Sequence, residues 1–299
     1  MHVDIVTSES KEKPDMGKMR FGLYVPNFGK SFGYAETLAD LARTAEDSGW
    51  DGFFIWDHIQ MDKTKPVPMV DPWIGLAAMA TATERIGLGT TVTPIPRRRP
   101  WKLARETVSV DHLSHGRLTL GVGLGSPPEE EFRVFGEVSD TKIRGRMLDE
   151  GIEVLLGLWS GKPFSFDGQY YKIDNAKFYP KPFQKPRIPI WVAGTWPNKK
   201  PFLRAATLDG IFPLRAGSWK RLFPSDFKDI LNFIEAKRTA KTPFDVVAMG
   251  ITSGKKPEKR REYVAGYHEA GATWWLDLIL SSVKPDDVRK RISAGPPEL

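Results

Sequence analysis

The 299-residue sequence predicts an α/β fold: a single (β/α)8 TIM barrel with an excursion between its fourth and fifth strands. Three observations carry that expectation. Short β-rich runs alternate with amphipathic helical runs along the chain, as in parallel strands joined by crossover helices. Eight such units follow one another, and eight close most simply into a barrel; an open doubly wound sheet is the other arrangement. No Pro/Ser-rich linker cuts the chain, so residues 19–299 are expected to form one domain.

Arg20–Val25 is a β-rich run closed by Pro26-Asn27. Leu38, Leu41, Ala42 and Ala45 then recur at helical spacing, and Gly49 stops that helix. Gly52–Trp56 is a compact apolar second strand. Asp71-Pro72 supplies an N-cap and a proline at the first helical position, opening a helix to about Thr83. Ile86–Val92 is the third strand, and a helix runs from Pro100 to Ser114-His115-Gly116. Arg117–Leu124 is the fourth strand. The helix after it carries Met147, Val154, Leu155 and Leu158 on one face and ends at Trp159-Ser160-Gly161. Lys162–Pro186, rich in proline and aromatic residues, stands outside the repeat and has the character of a hairpin. The alternation resumes with strands Ile188–Ala193, Asp209–Pro213, Asp245–Gly250 and Thr273–Leu276. Their helices are Pro197–Thr207, Asp226–Lys237, Pro257–Ala270 and a last one starting at Pro285.

The chain is 40% hydrophobic and has no cysteine, so a core of this size stands without disulfides, and thiolate catalysis, iron–sulfur clusters and thiolate zinc sites are excluded. A cysteine-free chain suits the cytoplasm, the location expected here. No run of 18 or more apolar residues predicts a membrane span. Met1–Lys18 is polar, lacks the apolar stretch of a signal peptide and reads as a disordered leader. Net charge is +7, from 44 Lys plus Arg less 37 Asp plus Glu. Part of it lies in two runs, Arg97-Arg98-Arg99 and Lys255 through Arg261, read as solvated surface or as an attractor of anionic ligands. No nucleic-acid-binding motif accompanies them. Neither a Gly-x-Ser-x-Gly elbow nor a Walker loop is present, which argues against common serine hydrolases and P-loop NTPases.

In such a barrel the chemistry belongs at the C-terminal ends of the strands. Asp57-His58 follows the second strand directly, and His58 is the only histidine placed just past an inner strand. Imidazole suits proton transfer near neutral pH, and the adjacent carboxylate can tune it or bond a ligand; a strand-end histidine bonded to a neighbouring loop is the structural alternative. Gly121, Gly123 and Gly125 alternate along the end of the fourth strand. Pro127-Pro128 follows them, so a dinucleotide fingerprint fits poorly. Close backbone approach by a flat ring or phosphate, or tight interior packing, explains them better. Ala193-Gly194-Thr195-Trp196-Pro197 joins the fifth strand to a helix, where amides and the Thr195 hydroxyl can bind phosphate. No spacing of histidines and carboxylates resembles a metal site, so no metal is expected.

Several blocks in order resemble the luciferase-like monooxygenase superfamily. They are Phe21-Gly22-Leu23-Tyr24-Val25-Pro26, the run from Gly49 to His58, Glu84 through Pro94, and Asp111-His112-Leu113-Ser114-His115-Gly116-Arg117-Leu118 leading into Gly121-Val122-Gly123. Leu158-Trp159-Ser160-Gly161 before Phe166-Asp167-Gly168-Gln169-Tyr170-Tyr171 fits the same pattern. The resemblance implies a barrel, often a homodimer, that holds FMN or the deazaflavin coenzyme F-420 at its mouth. It implies hydride transfer between a deazaflavin and a small organic substrate, or oxygen insertion with FMN. A non-catalytic flavin-binding barrel is the alternative from another class. By the same likeness Asp57 contacts the cofactor and His58 serves in proton transfer. A bulge with a non-proline cis peptide falls on Thr91-Val92, and the cofactor phosphate lies near Gly123, Gly125, Ala193, Gly194, Thr195 and Trp196. There are departures. Sugar-phosphate dehydrogenases of the deazaflavin branch carry a glutamate right after the strand-four glycines and a tryptophan shortly after Asp-His. Here Ser126 and Asp62 stand there, which argues against sugar-phosphate oxidation. The connection after the seventh strand is short, where many flavin monooxygenases insert a lid.

Overall fold

The computed structural model describes residues 17–215, 221–297 and 299; the expected leader, up to residue 16, lies outside them. In chain order the elements are β1 (Arg20–Val25), α1 (Ala35–Asp47), β2 (Gly52–Ile55), α2 (Pro72–Ala82), β3 (Gly87–Pro94), α3 (Pro100–Leu113) and β4 (Leu118–Gly123). Then come the short α4 (Pro128–Glu131), α5 (Thr141–Trp159), β5 (Phe164–Asp167) and β6 (Lys172–Ala176). The chain continues with β7 (Ile190–Trp196), α6 (Lys199–Ala205), β8 (Gly210–Arg215), α7 (Pro224–Glu235), β9 (Asp245–Gly250), α8 (Pro257–Glu269), β10 (Trp274–Leu278) and α9 (Pro285–Ser293). Strands β1, β2, β3, β4, β7, β8, β9 and β10 close a parallel barrel in that order. The excursion is a separate antiparallel pair, β5 with β6. Among the described residues no helix is long and apolar enough to cross a membrane.

Local chemistry accounts for most element starts. Asp71 caps α2 by accepting from the amides of Trp73 and Ile74, with Pro72 at the first helical position. Asp140 caps α5 by accepting from the Ile143 amide. Alternation along the strands sends one set of side chains outward against the helices and the other into the barrel. The inward set is aromatic. Phe54 stacks on Trp191 at 4.9 Å, and Trp274 meets Phe54 edge-on at 5.5 Å. These rings fill the lower interior, while Tyr24, Trp56, Val92, Ala193, Phe212 and Leu214 form the layer above.

Several strands run further at their C-terminal ends than the sequence predicts, and two of these differences shape the mouth. β3 runs on to Pro94, and its pairing with β4 shifts register between Thr90 and Thr93. The Thr91-Val92 peptide inside that irregularity is cis. β7 continues past Ala193 to Trp196, because it pairs with β8 from Trp191↔Gly210 through Trp196↔Arg215. Gly194, Thr195 and Trp196 therefore belong to a strand, and the helix begins at Lys199 rather than Pro197. A ladder of interstrand bonds outweighs the turn tendency of Gly-Thr-Trp-Pro.

β4 approaches β3 so closely that a Cβ added at Gly121 would lie 2.1 Å from the Thr90 carbonyl oxygen. Gly121→Ala is expected to cost about 1–3 kcal/mol in chemical denaturation, since backbone rather than a flexible side chain must yield. Gly145→Ala on α5, where an added Cβ meets nothing within 4 Å, should instead gain about 0.5–1 kcal/mol. Equal effects at the two positions would show that the β3–β4 approach is looser than described.

Candidate active site

At the C-terminal rim a cavity of about 400 Å³ is bordered by Asp57, His58, Thr91, Val92, Gly123, Gly125, Ala193, Gly194 and Thr195. Gly121 lies outside that border, and the residues that the resemblance assigned to the cofactor or the chemistry are all on it except Trp196. Its ring packs among the helices, 5.0 Å from Phe202 and 6.2 Å from Phe233, beneath the Lys199 ammonium at 3.6 Å. Being one step beyond Thr195 on an extended strand turns its side chain away from the mouth.

Asp57 leaves the end of β2 with its side chain fully buried. Its carboxylate faces two guanidinium groups rather than the neighbouring imidazole. Arg97 Nη2 donates to Oδ1 at 2.9 Å and to the Asp57 carbonyl at 2.9 Å. Arg98 donates to both oxygens from Nη2 at 2.7 Å and from Nε at 3.1 Å. Burial opposes ionisation of Asp57, but the charges of Arg98 and Arg97 outweigh it and hold the carboxyl below the usual carboxylate range. The run Arg97-Arg98-Arg99 is thus no solvated basic face in its first two members: their side chains are 8% and 14% exposed and are spent on ion pairs at the rim.

His58 has another partner, which sequence reasoning missed. Its Nδ1 lies 2.8 Å from Oε1 of Glu131, a carboxylate buried on α4. Asn27, after β1, brackets the His58 backbone, donating from Nδ2 to its carbonyl at 2.8 Å and accepting its amide at 3.1 Å. Phe28 and Trp56 meet the imidazole edge-on at 5.8 and 5.5 Å. Glu131 ends the run Glu129-Glu130-Glu131; only the Phe132 that follows, fully buried, hints that the third acid turns inward.

The glycines act differently from one another. At Gly123 an added Cβ would press on Val92 Cγ2 at 2.6 Å, displacing a side chain that borders the cavity. Gly125 has φ +80 and turns the chain out of β4. At Gly194 an added Cβ would strike Pro201 Cβ at 2.4 Å, so its missing side chain makes room for α6. The Thr195 hydroxyl accepts from Asn198 Nδ2 at 2.9 Å.

The cavity has two chemical ends. Tyr24, Trp56, Val92 and Phe212 contribute an apolar, largely aromatic wall on the side of His58. Burial raises the Tyr24 phenol well above its ordinary value, so it stays neutral. Elsewhere on the border are Ser126, Thr141, Thr195 and two guanidinium groups, Arg144 and Arg204. Arg144 is 3% exposed and donates from Nη1 to the carbonyls of Leu124 and Gly125 at 2.8 and 3.0 Å. Its Nε has no protein partner, nor has the buried hydroxyl of Thr91. Buried polar atoms left without protein partners fit a ligand that brings its own donors and acceptors. A flat heteroaromatic ring with an anionic tail matches both ends. Among the described residues no group of three or more His, Asp or Glu could hold a metal.

A cavity at the C-terminal rim of a barrel is where this fold places its small-molecule sites. The model of the luciferase-like monooxygenase family matches residues 19–221, and the chain belongs to that family of oxidoreductases. It is 34% identical over 182 residues to a coenzyme F-420-dependent glucose-6-phosphate dehydrogenase of Nakamurella multipartita, covering 60% of this chain and 51% of the relative. The corresponding enzyme of Nocardia farcinica is 36% identical over 186 residues, covering 61% and 53%. The chain therefore spans about half the length of these relatives. A coenzyme F-420-dependent secondary alcohol dehydrogenase, solved with an F-420–acetone adduct, shares the fold with TM-score 0.73 and 20% identity over 93% of this chain and 97% of that one. A tetrahydromethanopterin reductase of Methanopyrus kandleri does so with TM-score 0.72 and 18% identity over 93% and 97%.

Asp57→Asn removes the charge that two buried guanidinium groups face, so it should cost about 3–5 kcal/mol in denaturant unfolding at neutral pH. The folded pKa is lowered, so this stabilisation is complete above about pH 4, the ordinary value, and fades as pH falls through the lower folded value. The gap between parent and Asp57→Asn should therefore close only in acid; a neutral-pH loss within about 0.5 kcal/mol, the range of ordinary surface substitutions, would mean the pairs contribute little.

Proposed function

We propose that the chain is an oxidoreductase that binds coenzyme F-420 and passes a hydride between it and a small organic substrate. The observation that carries the reading is the pairing of ends in one cavity: an aromatic wall with His58, and a border of hydroxyls and guanidinium groups. Thr91 and Val92 would back the ring, Tyr24 and Trp56 would flank it, and Gly123 would leave room beside Val92. Arg144, with Ser126 and Thr195, would hold the phosphate. When bound, the deazaflavin supplies hydride chemistry that no side chain can.

The protein's part is to orient substrate and move a proton. His58 takes the proton that leaves an alcohol as its hydride departs, and returns it in the reducing direction. Six residues, 251–256, join β9 to α8 and offer little cover against water, which favours hydride transfer over an oxygen adduct that needs shielding. Homodimer formation belongs to the same proposal.

Titration with coenzyme F-420, and separately with FMN, should give saturable binding for the deazaflavin; binding of FMN alone would move the reading to a flavin monooxygenase. His58→Ala should lower turnover about 100- to 10,000-fold while leaving cofactor affinity nearly intact. Turnover at the parent rate would remove His58 from the chemistry, and binding without turnover of any alcohol, aldehyde or activated alkene would point to a non-catalytic barrel. Arg144→Met should weaken coenzyme F-420 by roughly 10- to 100-fold, the worth of a charged hydrogen bond, while the deazaflavin core that lacks the phosphate is unaffected. Equal loss for both ligands would place the anion elsewhere.

A further inference from the structure

We propose that Glu131 is the positioning residue of His58: it accepts the Nδ1 proton, holds the imidazole as the Nδ1–H tautomer, and leaves Nε2 as the proton acceptor. The inference rests on reading His58 as the proton-exchanging group, and it names what prepares that group.

The surroundings of Glu131 decide its role. Its oxygens accept from the Ile59 amide at 3.2 and 3.3 Å and from the Gln60 amide at 3.4 Å. Arg97 Nε forms an ion pair with Oε2 at 3.3 Å. These neighbours are all donors or cations, and an ionised carboxylate has only acceptor capacity, so the proton between Glu131 and His58 belongs on Nδ1. A neutral imidazole has one N–H and one bare nitrogen; once Nδ1 carries the proton, Nε2 is bare. Among the described residues Nε2 has no hydrogen-bond partner, and His58 borders the cavity.

Arg97 adds a second link. It meets Asp57 through Nη2 and Glu131 through Nε, so Asp57 bears on His58 through Arg97 and Glu131 rather than directly. In the oxidising direction a bound deazaflavin would supply the acceptor for the hydride that leaves the substrate carbon as its C=O bond forms. The O–H proton passes to Nε2, and the imidazolium so formed is stabilised by the Glu131 carboxylate at 2.8 Å.

The test is nitrogen NMR of the full chain, without cofactor, labelled in its histidine rings. His58 is assigned by loss of its signals in His58→Ala, and spectra are taken near pH 9, where an ordinary imidazole is neutral. The parent protein should show Nδ1 protonated and Nε2 bare; the opposite tautomer overturns the proposal, and this measurement needs no altered Glu131. Glu131→Gln, whose amide can donate to Nδ1, should shift the population toward Nε2–H. It should also lower kcat by about 10- to 100-fold, part of the 100- to 10,000-fold that general acid–base catalysis supplies, with cofactor Kd unchanged. Glu131→Asp should restore part of both. A Glu131→Gln variant with unchanged tautomer and kcat overturns the proposal. If His58→Ala turns over at the parent rate while the parent tautomer is Nδ1–H, the proton role fails and the positioning stands, so the two failures are distinct.

Discussion

Asp57 carries a negative charge where water does not reach, and the mouth of the barrel is organised around keeping it there. A buried carboxylate is costly unless its partners are close and well oriented. Arg97 and Arg98 meet that demand from the turn after β3, so the ends of β2 and β3 are tied together at the rim. Arg97 also reaches Glu131 beyond β4, which links a third strand end to the same network. Removing Asp57 would leave Arg97 with Glu131 and Arg98 with only Glu106, 3.8 Å away.

The network would have no cavity to border without the packing beneath it. Phe54, Trp191 and Trp274 fill the lower interior with stacked and edge-on rings, which sets a floor. Gly121 lets β4 close on β3 where the register shifts, and Gly123 leaves Val92 undisturbed at the cavity wall. The same strands thus serve two layers: large side chains seal the lower one, and small ones keep the upper one open.

The two ends of the cavity divide the work in a way that suits a cofactor enzyme. Ser126, Arg144 and Thr195 border one part of the cavity, while neutral aromatic groups and His58 border another. The family model covers residues 19–221, which include the strands that build both ends, and the solved structures share the architecture.

Much of this was legible in the chain itself. Strand–helix alternation, the Asp71-Pro72 start, the hairpin within residues 162–186 and the position of Asp57-His58 after β2 are all encoded within a few residues, because periodicity and capping are local properties. The bulge at Thr91-Val92 came from resemblance rather than from spacing. The partners of the site were not legible. Glu131 lies 73 residues from His58 and looks like its two acidic neighbours until closure of the barrel brings the turn after β4 beside the end of β2. Arg97 and Arg98 read as solvated charge because nothing local shows that a buried carboxylate awaits them. Gly194-Thr195-Trp196 read as a turn because its pairing with β8 is a contact between strands. Sequence alone determined the alternation of strands and helices and the place of Asp57-His58 at the rim; only the tertiary structure decided which charges face one another there, since that depends on distances across the closed barrel and not along the chain.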